Sequence, residues 1–587
     1  MYLKHFLLSL IALSVLTFSA AQPLNRSFHR QPINLGDQLL PTSISGSWLI
    51  GGSAGQYMGY PVFRPWLALA DATGGLLWER YLDDSFAAEL GRVNSLSEDA
   101  LGEVFYVAGS VSGCDYLIPG FIYMLDKDGQ ALWFKESELF FNPMATALPL
   151  QGVLVGERGS GMVEWHGMSG QAVISSDFSG QFGLHLVQML TTGLNSVALL
   201  GSSQLILTEW TDGEAQITAR IQLENGKSIA RAPSGQLAVL AGEKILLLDD
   251  SLNILHEQSL SSYGDFRKVS CSTNRCYVGG QSPEGRYIAL ALDAELNHVR
   301  TIGMGPNYNY PSGLVAVENG FVALGTALRQ ETEATPFSAP NVLATSEGSD
   351  IFLRSWDAEG TPAASQRNIA VEAITVDQYE VLSFPEPCYN SPDGHMQGQF
   401  SGVNVEVRNE GPATIGSITL NTVFLTCWSI CYTQQNISRT FEGLSLAPGE
   451  STTLSFGDIQ TWPLPLDEML PLCIWASGPD GQLDDDFSDN TSCFNVVVSD
   501  VEPANSLENI VVFPNPASGW LAVQYPNPLA EIAELKILTP LGQCLYREAV
   551  SAGLATTQLN VGQLPAGLYY LNIQNERGNT VIPWVKK

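Results

Sequence analysis

Seven times between positions 43 and 368 the chain repeats a short apolar strand that carries or ends in glycine. The copies are WLIGG at 48–52, VFYVAG at 104–109, GVLVG at 152–156, SVALLG at 196–201, LAVLAG at 237–242, CYVGG at 276–280 and GFVALG at 320–325. They recur every ~35 to 55 residues, a period that calls for one supersecondary unit per repeat rather than one continuous core.

A hairpin usually follows each copy. WLALADATGGLLW at 66–78 and FIYMLDKDGQALW at 121–133 are the clearest, with weaker forms at 245–255, 288–296 and 351–360. Each is an apolar strand, an Asp-x-x-Gly-like turn and a second strand. The aspartate can bond the turn backbone and glycine takes the positive φ, which together mark a hairpin. Four strands at this period make one propeller blade. The segment 43–368 is therefore read as a seven-bladed β-propeller. It resembles bacterial propellers whose blades carry a Leu-Asp-x-x-Gly-x-x-x-Trp-like hairpin. A polar insertion at 329–350 is expected to be a loop on one face.

Residues 371–500 read as a second all-β unit. An alternating strand at 403–408 runs into a turn at 409–412, and a Pro-Gly turn at 448–449 precedes another strand. This order resembles CARDB-type domains, immunoglobulin-like β-sandwiches of bacterial surface proteins, and the resemblance implies a role in adhesion.

Charge separates the body from the tail. The whole chain carries 60 acidic and 28 basic residues, a net of −32. Positions 371–500 hold 18 acids and 2 bases, whereas 506–587 hold 5 of each. A surface this acidic repels phosphate backbones and anionic bilayers, so neither nucleic acid nor an anionic membrane is expected as a partner. The neutral C-terminal part differs physically, as a separable module would.

The first 21 residues read as a secretory signal peptide. Lys4 precedes an apolar run at 6–18, and Ser19, Ala20 and Ala21 supply the small residues before Gln22. No later stretch approaches the roughly 20 apolar residues that a spanning helix needs, so the mature chain is expected to lack a transmembrane span. Nine cysteines in an exported chain favour disulfides over metal. Cys473 and Cys493 lie on neighbouring predicted strands and are the favoured pair. Cys271 with Cys276 and Cys427 with Cys431 are local candidates.

At the C-terminus a short apolar strand at 510–513 runs into Pro514-Asn515-Pro516-Ala517-Ser518-Gly519. Further on come Gly567 and Tyr569 in LPAGLYYL, and the chain ends Trp584-Val585-Lys586-Lys587. Residues 507–587 resemble the type A C-terminal sorting domain of the type IX (Por) secretion system. The resemblance implies a small β-sandwich that docks on the type IX machinery. It implies passage through the periplasm to the outer cell surface or the extracellular space. The positions carrying it are Pro514, Asn515, Pro516, Gly519, Gly567, Tyr569, Lys586 and Lys587.

Few residues point to chemistry. Gly51-Gly52-Ser53-Ala54-Gly55 fits a hydrolase elbow, but an elbow needs a helix after the serine and none is predicted. No two of the seven histidines stand at metal-ligand spacing; they are read as loop or surface residues. Asp71 with Trp78, and Asp126 with Trp133, resemble quinoprotein docking repeats with one residue fewer, a spacing that suits a plain hairpin. Asp480, Asp484, Asp486 and Asp489 crowd one hairpin loop. They are candidate Ca²⁺ ligands, the alternative being a solvated acidic turn. No other cofactor is expected. The leading expectation is a non-enzymatic surface or extracellular protein that binds a glycan or another surface protein. The alternative is a secreted propeller hydrolase or lyase acting on polysaccharide. The two separate on whether carboxylates cluster at the channel mouth.

Overall fold

The computed structural model describes residues 24–587 apart from 29–32, 45, 58–60, 83–89, 113–116, 137–140, 150, 180–182, 212–213, 233, 306–308, 329–348, 385–393, 426–433, 462–463, 466–470, 485, 487–488, 496–509, 526–532, 541, 552 and 576–577. The expected signal peptide, the insertion up to 348 and the pair Cys427 and Cys431 lie outside the described residues.

Each repeated hairpin is fastened by its own aspartate. Asp71 Oδ1 accepts the N–H groups of Thr73 and Gly75 at 2.8 and 2.9 Å. Asp126 accepts those of Asp128 and Gln130, and Asp249 and Asp293 repeat the pattern. The turn also needs one residue at positive φ, which Gly74 and Gly129 supply without strain. In two later copies Leu252 and Leu296 occupy that place with φ of 62° and 66°. A leucine there costs about 1–2 kcal/mol, and burial of both side chains offsets it.

The hairpin tryptophans tie neighbouring units together. Trp78 Nε1 donates to the Lys127 carbonyl at 2.9 Å, and Trp133 Nε1 to the Met168 carbonyl at 3.1 Å. Their rings cover Gly129 and Gly170, where any Cβ would press on the indole.

Strand pairing sorts the chain up to Asp357 into antiparallel groups of four. Four groups are separate sheets, spanning 143–177, 186–222, 226–259 and 265–303. The rest form one twelve-stranded sheet. Within it, 33–81 and 90–136 each fold in sequence order. The strands of 309–357 are completed by Asn25–Phe28, which runs antiparallel to Ser349–Asp357. Single parallel pairs, Ile33 with Ser349 and Phe63 with Leu90, join these groups.

Apolar cores lie between consecutive groups. Leu154 and Trp165 pack with Leu199 and Trp210, and Leu240 and Leu247 pack with Val278 and Leu290. The last group meets the first: Leu324 and Leu353 share a core with Leu24, Phe28, Ile50 and Trp66. This is a β-propeller, in which packing between blades replaces a single centre. Asn25–Phe28 and Ile33–Pro41 extend it before position 43. Neither carries the repeat's aspartate turn, so the repeat alone does not mark them.

Residues 369–495 form two sheets around one core. Ile369–Thr375, Gln378–Phe384, His395–Asn409, Ser451–Gln460 and Leu464–Pro465 make the first; Ile415–Leu425, Gln434–Leu446, Pro471–Ser477 and Thr491–Asn495 make the second. Phe400, Val405 and Phe456 meet Ile418, Leu420 and Ile474 between them. Cys473 and Cys493 stand opposite each other in register and are disulfide-bonded, as are Cys271 and Cys276.

The chain divides into two compact units at Val496/Val497. In the second unit, a three-stranded sheet (Val511–Phe513, Trp520–Gln524, Thr556–Asn560) and a four-stranded sheet (Ala533–Leu538, Cys544–Val550, Gly567–Asn575, Gly578–Lys586) enclose a core of their own. Cys544 is a free, exposed thiol.

Candidate functional sites

The sorting-motif residues, up to 70 positions apart in sequence, meet along the last strand. Asn515 Oδ1 accepts the Val585 N–H at 2.9 Å. The Ala517 N–H donates to the Val585 carbonyl, and the Lys587 N–H donates to the Ala517 carbonyl, both at 2.8 Å. Gly567 pairs with Lys586 across the sheet. Tyr569 stacks on the buried Trp584 at 5.3 Å between centroids, and its hydroxyl donates to the Pro565 carbonyl. The proline-flanked turn and the C-terminal residues are thus one structural element, held by one side-chain and two backbone hydrogen bonds.

A second feature lies in the propeller. The first strand of six groups carries a bulge at a matching place: the register shifts between Gly36 and Gln38, Val93 and Ser95, Leu186 and Gln188, Gly226 and Ser228, Phe266 and Lys268, and Pro311 and Gly313. The extra residues are Asp37, Asn94, Val187, Lys227, Arg267 and Ser312. All six line one cavity of about 650 Å³. A bulge re-aims a side chain, and here it aims one from each of six groups into shared space. The recurring strand glycines permit it. A Cβ on Gly52, Gly109, Gly280 or Gly325 would strike the carbonyl oxygen of Leu35, Arg92, Asp265 or Tyr310 respectively. The glycines legible in the sequence are therefore the backs of the bulges.

Two carboxylates line this cavity among the described residues, Asp37 and Glu98. Asp37 is buried. It accepts the Ser53 hydroxyl at 3.1 Å and the Val93 N–H at 3.4 Å. Burial pushes its carboxyl up, against the pull of Arg92 and these hydrogen bonds. Glu98 grips Ser43, accepting its N–H and its hydroxyl at 2.8 Å each. Ser53, the serine of the elbow-like pattern, lies within Trp48–Tyr57, which pairs with Pro61–Ala70 as a hairpin. Strand, not helix, follows it, as the sequence reading held.

Of the histidines, His166 departs from expectation. It is a buried strand residue, with Nε2 3.1 Å from Glu164 and Nδ1 3.2 Å from the Gly170 carbonyl. The turn it precedes has Gly167 in place of the repeat's aspartate, so the ring bonds the turn carbonyl from inside.

The four named aspartates of the acidic loop have different surroundings. Asp480 forms an ion pair with Arg367 at 2.5 Å and accepts the Gly416 and Ser417 N–H groups at 2.9 Å. Asp484 is buried and accepts the Ile369 N–H at 2.8 Å and the Asp486 N–H at 3.0 Å. Asp486 is exposed. Among the described residues no three His, Cys, Asp or Glu side chains are placed to share a metal ion. The loop instead joins the two-sheet unit to the propeller. Leu483 is buried in a propeller core, and its carbonyl accepts the Asn25 side-chain N–H at 3.4 Å.

Burial, reinforced by the charge of Asp489, pushes Asp484 up to about 7, and burial with Asp486 pushes Asp489 up to about 6. The folded protein then holds protons that the unfolded chain releases near pH 4. This contribution to stability is full below pH 4 and declines as pH rises toward 7. Asp484→Asn is expected to remove most of that decline, a gain of about 2–4 kcal/mol at pH 8 relative to pH 5. Chemical denaturation at the two pH values checks it; an unchanged difference refutes it.

Comparison with known proteins bears on the tail. No curated protein matches the chain significantly. Among solved structures, virginiamycin B lyase from Staphylococcus aureus is similar, with 11% identity, a TM-score of 0.40, and coverage of 57% of this chain and 98% of that one. The β-propeller domain of Cps50 (Swd1) from Myceliophteria thermophila aligns at 10% identity and a TM-score of 0.38, covering 56% and 98%. A protein of unknown function from Bacteroides caccae aligns at 16% identity and 0.29, covering 46% and 94%. The activity in the lyase's name is that protein's own. No helix among the described residues is long and apolar enough to cross a membrane. Residues 511–587 match the secretion system C-terminal sorting domain family. The chain therefore ends in a type IX sorting tail, which directs it to the cell surface or the extracellular space.

Proposed function

We propose that the body exported by this tail works by binding. In this reading the four-strand groups are seven blades, closed by Asn25–Phe28. Residues 369–495 are an immunoglobulin-like sandwich of CARDB type, and together they present loops and a channel to a glycan or another surface protein. The observation that carries the reading is the placing of the two carboxylates. Asp37 lies beside Val93, and Glu98 stands five residues further along the same strand, a backbone span of about 16 Å at the usual rise, shortened slightly by the bulge between Val93 and Ser95. Glycosidic bond cleavage by a carboxyl pair needs roughly 5–9.5 Å. Both carboxyls are moreover held by serines. The arrangement favours recognition over hydrolysis.

A glycan array probed with the mature protein, with and without Ca²⁺, tests this. The expected result is retention of at least one glycan class with no release of reducing ends. Release of sugar that disappears in Asp37→Asn would overturn it in favour of a polysaccharide hydrolase or lyase.

A further inference from the structure

The cavity is basic inside a protein of net charge −32. Five cations line it, Arg92, Arg158, Lys227, Arg267 and Lys268, against Asp37 and Glu98. Most of these charges are answered. Lys227 and Arg267 share Asp265 at 2.6 and 2.8 Å, and Arg92 acts on Asp37. Glu157, next to Arg158 in sequence, instead accepts the Asn142 N–H with both oxygens.

Arg158 and Lys268 are different. Among the described residues neither side chain has a carboxylate within ion-pair distance. They come from strand groups more than 100 residues apart in sequence, yet both line the same cavity. Burial in the channel wall, then repulsion from Arg158, push Lys268 down to about 8. The surrounding wall desolvates Arg158 enough to pull it below its usual range, with Glu157 opposing, although the residue stays exposed to the open channel. Both reach the open space of the cavity while protein surrounds it, so their charges are only partly screened by water.

Two cations that line one cavity without an ion pair, with Glu157 opposing Arg158 only from a distance, leave the site short of negative charge. We propose that the propeller channel binds an oxyanion, a carboxylate or sulfate, between Arg158 and Lys268. A guanidinium grips such a group with two parallel N–H donors, while an ammonium adds a point charge from the other side. The acidic exterior does not prevent this. Its field decays within about 8 Å at physiological salt, whereas the channel concentrates its own charge between low-dielectric walls. The anion is either a small free ion or the acidic group of a saccharide that enters the cavity. This deepens the binding reading above and rests on it only in making the channel a recognition site.

The test titrates the mature protein with sodium sulfate, a galacturonate trisaccharide and a neutral galactose trisaccharide. Each is measured against sodium chloride at matched ionic strength, by calorimetry and thermal shift. Sulfate or galacturonate is expected to bind and to raise the melting temperature, and the neutral sugar to do neither at this site. Lys268→Met and Arg158→Gln should weaken anion binding at least tenfold. Lys268→Arg should keep it, and Lys244→Met, on an exposed ion pair, should leave it unchanged. Lys268→Met should melt no lower than the parent without ligand, because it removes a like-charge contact; that shows the variant is folded. Binding of sulfate alone assigns a free ion, and binding of galacturonate assigns an acidic saccharide. Anion binding that survives Lys268→Met, or its absence in the parent, overturns the proposal. Glycan binding that persists through either result leaves the broader binding reading intact.

Discussion

Deletion of residues 506–587 is expected to abolish delivery to the outside and leave the body in the periplasm. Fractionation with immunoblotting should show the truncated chain absent from the cell surface and the medium, a loss of more than about tenfold against the full chain. The tail can act as an address because it is physically independent. It has its own core, in which Leu535, Ile537, Leu571, Ile573 and Trp584 are fully buried. It also carries no net charge beside a strongly acidic body. A finer variant separates the motif from the fold around it. Asn515→Ala removes the acceptor for the Val585 N–H at a cost of about 1–2 kcal/mol, and should impair export while the body stays folded. A truncated chain that still reaches the outside would remove the basis for the export assignment.

Removal of residues 24–28 should lower the melting temperature by roughly 10 °C, because this strand closes the propeller. Leu24 and Phe28 are 1% and 4% exposed, in a core shared by the first and last groups. Each contributes about 1.5–3 kcal/mol by burial. The strand also makes four register pairs with Ser349–Asp357, and the Leu24 N–H donates to Ser355 Oγ at 2.9 Å. Together these amount to about 5 kcal/mol. Phe28→Ala alone should cost about 3–5 kcal/mol. Calorimetry on the mature chain and on a chain starting at position 29 decides the matter. Melting within about 2 °C of each other would mean that the propeller does not depend on this strand.

Much of the architecture follows from local rules. The Asp-x-x-Gly turns, the recurring glycines and the tryptophans mark hairpins because their chemistry acts over four or five residues. The pair Cys473 and Cys493 was legible for the same reason, being placed by two adjacent strands and a short hairpin. The inner strands were harder to see. Leu90–Glu98 and Asp265–Cys271 mix polar and apolar residues around a bulge, which breaks the period-two pattern on which strand recognition rests. In the acidic loop composition marks the aspartates and leaves a cation site and a solvated turn both open; the structure turns Asp480 to Arg367 and buries Asp484 against backbone N–H groups.

The sequence alone determined that this chain is built of repeated hairpins and ends in an export tail, because turn chemistry and a contiguous motif are encoded by near neighbours. Only the tertiary structure decided what the repeats enclose. It sets six bulged residues around one cavity and places Arg158 and Lys268 in its lining. It also completes the last group with residues from the N-terminus. The physical reason is that sheet register and closure depend on pairings between distant segments, so the sign of charge inside the channel is invisible in a chain whose total charge has the opposite sign.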